Sequence, residues 1–171
     1  MLAGRDRMSM ANAGEHRVVW PRHQPWIALA LFSFLVHFAW EMLAVSFYAA
    51  IATAPHAEAV VACFRTTVGD VGITLTSYAA ASVVGTKRWM VRATPRLLAI
   101  YLGIGLGATA VLEYISVHVL HRWAYAAVMP TIGGIGLVPL VQWLALPPTI
   151  LWLARRHLVG AAADFQPTET K

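Results

Sequence analysis

Glu41, Asp70 and Glu113 lie inside stretches that otherwise read as lipid-embedded helix, in a chain with only eight acidic residues. A carboxylate in hydrocarbon costs on the order of 2.5–3.5 kcal/mol even on lenient insertion scales, so such groups face a bundle interior and mark a site or a pathway. Three close together cannot all be ionised cheaply. His37, four residues before Glu41, sits one helical turn away and can share a proton with it. These types at this spacing point to proton transfer or to a cation site. Asp70 also has a structural reading, as a helix cap or a partner of Arg65. Glu113 has no basic residue near it on its own helix.

Metal binding follows the same residues. His37 and Glu41 present two ligands on one helical face, and Glu113 with His121 adds two more, enough for one non-haem ion. The Glu-x-x-His spacing of di-iron bundles is absent. A bis-histidine haem is not expected, because His37 lies near mid-membrane and His118 and His121 at the rim. No Gly-rich phosphate loop or nucleophile triad is present, so no organic cofactor is expected. The single cysteine, Cys63, excludes an internal disulfide and a Cys-based metal cluster.

Four spans of helix must position these groups: about 26–51, 67–84, 97–120 and 134–154, each near the ~20 residues a crossing requires. Composition agrees: 58% of residues are hydrophobic and 12% charged, against about 25% charged in soluble domains. The fold class expected is all-α, an integral membrane four-helix bundle. Residues 1–25 form a polar leader, 26–157 the transmembrane domain and 158–171 a tail. Of the 13 Lys and Arg, all but Arg65 and Arg122 fall before the first span, between the second and third, or after the fourth. By the positive-inside rule both termini are cytoplasmic. That makes the basic excess a matter of topology, with the bilayer as partner and no nucleic acid, and the bacterial inner membrane as location. Trp20, Trp26 and Trp89 fit an inner aromatic belt, and Tyr48, Trp123 and Tyr125 an outer one.

At 100° per residue each helix carries one polar stripe. Ser33, His37, Glu41 and Tyr48 share a face of the first; Asp70, Thr74 and Ser77 of the second; Thr109, Glu113 and Ser116 of the third. Gln142 is the strongly polar side chain of the fourth. Four such stripes converge on a shared interior. Trp40, Tyr48, Thr74, Thr109, Gln142 and Trp143 would then line a substrate site around the catalytic candidates His37, Glu41, Asp70 and Glu113. Pro139, Pro147 and Pro148 predict a kinked fourth helix. Gly103 and Gly107 form a Gly-x-x-x-Gly pair, a close-packing surface expected to take another helix, within the chain or in a homo- or hetero-oligomer.

With His37-Phe-Ala-Trp-Glu41, Gly69-Asp70, Glu113 and Gln142-Trp143-Leu-Ala-Leu-Pro147 in place, the pattern resembles the EXPERA group, the four-helix module of the emopamil-binding protein family of sterol isomerases. The resemblance implies a cavity where one carboxylate protonates a double bond, a second basic group removes a proton, and tryptophan stabilises the carbocation. His37, Glu41, Glu113 and Trp143 would carry those roles. The family's Asn three residues before the Trp is Leu140 here, with Gln142 adjacent instead, and the helix that precedes the family's module has no counterpart in residues 1–25.

The expected function is a small membrane enzyme acting by acid–base chemistry, of isomerase or cyclase type, on a hydrophobic, lipid- or isoprenoid-like substrate. Glu41 and Glu113 are the expected acid and base, His37 a proton partner, Asp70 an orienting charge and Trp143 a wall. The alternatives are a non-catalytic accessory subunit of a membrane complex and a metal- or proton-binding membrane protein.

Overall fold

The computed structural model describes residues 24–86 and 89–163. Most of the leader, the last residues of the tail and Lys87-Arg88 lie outside them, as does Trp20 of the expected inner belt. Four helices are long and apolar enough to cross a membrane: α1 (Gln24–Ala44), α3 (His56–Val84), α4 (Pro95–Tyr114) and α5 (Leu137–Ala163). A single turn, α2 (Ala49–Ala52), follows α1 after a 3₁₀ turn. In the bundle α1 packs against α3 and α5, and α4 packs against the same two, so the four helices form a ring around one interior.

Local chemistry sets the ends. Thr94 caps α4, its hydroxyl accepting from the Leu97 N–H at 3.4 Å, with Pro95 at the first position, where its missing N–H costs nothing. Glu58 in the first turn of α3 meets the positive end of the helix dipole. α3 starts at His56, well before the expected residue 67, and takes in most of the stretch between the first two expected spans. Asp70 therefore lies about 21 Å into its helix rather than near an end, and it is not a cap.

At the other end of its span, α4 widens into a π turn, Ile115–Val119, in which the Leu120 N–H reaches the Ile115 carbonyl at 2.8 Å. His121 then takes a left-handed φ of 49° and stops the helix. Beyond it, β1 (Thr131–Ile132) and β2 (Ile135–Gly136) form a small hairpin. Gly133 and Gly134 have φ of 59° and 82°, both positive as a type I′ turn requires. The hairpin is clamped to the π turn by His118, whose Nε2 meets the Gly134 carbonyl at 2.8 Å.

One half of the bundle is apolar and aromatic. Leu29, Tyr78, Tyr101, Ile150 and Ala154 are fully buried there with Trp89. Trp89 is not a lipid-facing belt residue: it stacks on Tyr78, with ring centroids 5.4 Å apart, and tilts against Tyr101. The glycine that permits close helix packing is Gly105, since a Cβ there would overlap the six-membered ring of Trp143. Gly103 and Gly107 are exposed with open space around them, so within the chain they are not the packing surface the spacing predicts. α5 runs continuously through Pro147 and Pro148, which leaves the carbonyls of Trp143 and Leu144 without their helical donors. Pro139 falls in the first turn, where no donor is needed.

Candidate functional site

The polar stripes converge in the other half of the bundle. On α1, Ser33 and His37 are buried and Glu41 is half-buried. On α3, Thr67, Asp70, Thr74 and Ser77 are buried at spacings of three and four, and on α4 Thr109, Glu113 and Ser116. Gln142 and Trp143 of α5 are buried beside them. Nine of the ten candidate site residues lie on these stripes or directly next to them; Tyr48, expected on the α1 face, lies beyond the helix end at Ala44 in extended backbone and reaches Glu113 from there.

Gln142 is the joint of the cluster. Its amide nitrogen lies 2.8 Å from Nδ1 of His37 and donates to Oδ2 of Asp70 at 3.0 Å. This ties α1, α3 and α5 together at one level. His37 Nδ1 is 3.6 Å from the same Asp70 oxygen. Arg65, the alternative partner of Asp70, is exposed instead. One turn away the Ser33 hydroxyl donates to Thr74 at 3.1 Å. Glu41 lies against Gln142 as well; the charge of Glu113 reaches both Glu41 and Asp70, and that of Glu41 reaches Asp70. Trp143 packs its ring 5.6 Å from that of His37 and turns its indole towards Asp70 without closing a hydrogen bond. Trp40 is half-buried beside Glu41.

Glu113 is held differently, by three donors from outside the helices. Tyr125 donates to Oε2 at 2.7 Å, Trp123 Nε1 to the same oxygen at 3.4 Å, and Tyr48 to Oε1 at 3.4 Å. Tyr125 is in turn fixed by the Gly136 N–H, which donates to its phenol oxygen at 2.9 Å. Tyr48 and Tyr125 face each other across an isolated antiparallel bridge, with Ala49 N–H on Ala124 O and Ala126 N–H on Phe47 O, both 2.9 Å. The two connections at this end of the bundle are thus joined to each other and to Glu113. Burial, with the Glu113 carboxylate beside them, pushes both phenols above the ordinary tyrosine range.

Tyr125 and Trp123 are the site residues that stripe reasoning misses. Their aromatic character and position suit a lipid-facing belt, and nothing in their spacing shows that they fold back. The four-ligand metal arrangement is not formed. Among the described residues no three or more His, Cys, Asp or Glu side chains are grouped to hold an ion. His121 is exposed because the π turn breaks the 3.6-residue phase that would have kept it on the Glu113 face.

No family model, curated protein or solved structure matches this chain.

Proposed function

We propose that this chain is a small integral membrane enzyme that moves protons on a hydrophobic substrate, with both termini in the cytoplasm of a bacterium and the site in the outer half of the inner membrane. The observation that carries the reading is that three carboxyl groups from three helices share the polar half of the bundle with a buried histidine and glutamine. Structural duty alone rarely retains so many ionisable groups inside a bilayer. Glu41 is half-buried, while Asp70 is tied to Gln142 and Glu113 to three donors. Glu41 also lies against Gln142 but is the most exposed of the three, so it is the group that exchanges a proton with a substrate, with Glu113 as the second carboxyl, His37 and Asp70 orienting partners, and Trp143 a wall. The EXPERA resemblance assigns acid–base roles to the same Glu41, Glu113 and His37.

The test is chromatographic separation with mass spectrometry of the lipid extract of the membranes that hold the protein, before and after incubation with it. A species converted to an isomer of equal mass by the native protein, and not by Glu41→Gln, supports the reading. No change in any species with folded protein opposes it.

One observation favours a second reading. The three donors on Glu113 are what a strut holding the outer connections would have, as in an accessory subunit. In that case Glu41→Gln and Glu113→Gln alter stability without altering any conversion.

A further inference from the structure

The hydrogen bonds around His37 fix where its proton sits. Gln142 brings an amide nitrogen to Nδ1 at 2.8 Å and uses the same nitrogen to donate to Asp70 at 3.0 Å. An amide nitrogen has only protons to give, so Nδ1 accepts, and the neutral ring carries its hydrogen on Nε2. His37 is 0% exposed, and its Nε2 has no partner among the described residues. The indole N–H of Trp40, next to Glu41 in sequence, is also unpartnered there, whereas that of Trp143 is turned towards Asp70 and its ring lies beside that of His37. Nε2 of His37 and the Trp40 indole are both donors. A buried donor left unpaired is costly, and the two call for an acceptor atom from outside the chain. The neighbouring carboxyl one turn along α1 is the half-buried Glu41.

We propose that this centre binds a hydrophobic carbonyl compound whose oxygen accepts the Nε2–H of His37, placing the carbon next to the carbonyl against Glu41. The proposal rests on the acid–base reading above and names its substrate class. In the step it implies, the C–H bond beside the carbonyl breaks and the proton passes to the Glu41 carboxylate. The freed electron pair forms a carbon–carbon double bond as the carbonyl pair moves to oxygen, and the resulting enolate is held by the His37 N–H. Glu41 then returns the proton, to the same carbon or, in a β,γ-unsaturated substrate, to the far end of its double bond. No atoms or electrons are gained or lost. A neutral imidazole is a suitable donor here, because it stabilises the oxyanion without surrendering its own proton.

The experiment uses the full chain in lipid nanodiscs with cyclohexanone carrying ¹³C at the carbonyl, a probe small enough to make few demands on shape, and methylenecyclohexane as its oxygen-free counterpart. Infrared spectra are expected to show a saturable carbonyl band at lower wavenumber than in empty nanodiscs, together with a ketone-dependent shift of the His37 ¹⁵Nε2 resonance. Methylenecyclohexane should leave that resonance unmoved. His37→Phe should abolish the shifted band and weaken ketone binding about fivefold, the equivalent of one ordinary hydrogen bond. Should His37→Phe not fold, the Nε2 resonance of the native protein decides the matter alone. An Nε2–H that reports only water and ignores the ketone overturns the proposal, as does a shifted band that survives in folded His37→Phe. In D₂O, Glu41→Gln should keep the shifted band and lose exchange of the hydrogens beside the carbonyl. A shifted band without exchange in the native protein keeps the oxygen site and refutes acid–base action. Exchange without a shifted band does the reverse.

Discussion

Glu113 meets three hydrogen-bond donors on two oxygens, and a carboxylate alone among side chains accepts at both. In Glu113→Gln one oxygen becomes an NH₂ group, which faces a donor. At least one buried N–H or O–H then loses its acceptor, at a cost of about 1–3 kcal/mol. Thermal unfolding should show a lowered midpoint for this variant; an unchanged midpoint contradicts the three-donor geometry. Tyr125→Phe removes the 2.7 Å bond and also the acceptor of the Gly136 N–H, so it should loosen the hairpin by a similar amount. It should change the alkaline limb as well. The phenols of Tyr48 and Tyr125 are raised by burial beside Glu113, so they stabilise the fold fully below the free tyrosine value near 10. That contribution is lost as pH climbs beyond it. Stability measured from pH 8 upwards should fall past about pH 10 in the native protein, and less steeply in Tyr125→Phe. At this scale the sequence is legible wherever helical phase applies. His37, Asp70, Thr74, Thr109 and Gln142 are buried where their stripes put them. Tyr125 and Trp123 stand outside a helix, where no period constrains side-chain direction, and only the tertiary return of the chain reveals them.

Among the elements, α4 and the segment after it do most to shape the site. The π turn at Ile115–Val119 and the left-handed His121 redirect the chain so that it passes back over Glu113. A sequence read at 3.6 residues per turn cannot show this, because one extra residue in a turn shifts everything after it off the stripe. The glycines of α4 separate by role. Gly105→Ala places a methyl group where the Trp143 ring lies, and overpacking of that kind typically costs about 1–3 kcal/mol. It should also shift the Trp143 fluorescence. Gly103→Ala and Gly107→Ala meet open space, so each should leave the monomer as stable as before or slightly more so, given the better helix propensity of alanine. Equal effects at all three positions would count against the packing described. The Gly-x-x-x-Gly spacing is plain in the sequence, but spacing alone does not say which glycine a neighbouring ring has chosen. The second helix shows the matching error of extent. The polar and alanine-rich start of α3, His56–Thr66, reads as loop on hydropathy, yet it contains no glycine or proline to interrupt a helix.

Across the whole molecule the ring of four helices brings the connections Val45–Pro55 and Leu120–Gly136 to one end, and the segment 85–94 to the other. The basic residues Arg92, Arg96, Arg155 and Arg156 lie at the second end. On the proposed orientation that end is cytoplasmic. With Cys63 replaced by alanine, a membrane-impermeant thiol reagent applied to intact cells should label Ala127→Cys and spare Ala93→Cys, and the opposite pattern would invert the topology. The number of spans and the class of the fold follow from hydropathy, because the bilayer admits few architectures. The interior network does not follow from it, since hydropathy says nothing about which polar groups touch. On the proposed reading this network transfers protons to and from carbon, with Glu41 as the exchanging group. It is tested most directly by incubating the protein in D₂O with the lipid extract of its own membranes and reading deuterium at carbon by mass spectrometry, with thermal unfolding run alongside. Incorporation into one lipid species is expected with the native protein, and at least a hundredfold less with a folded Glu41→Gln, in line with the loss of one general acid–base group. Equal incorporation by the two proteins, or none by either, would contradict it.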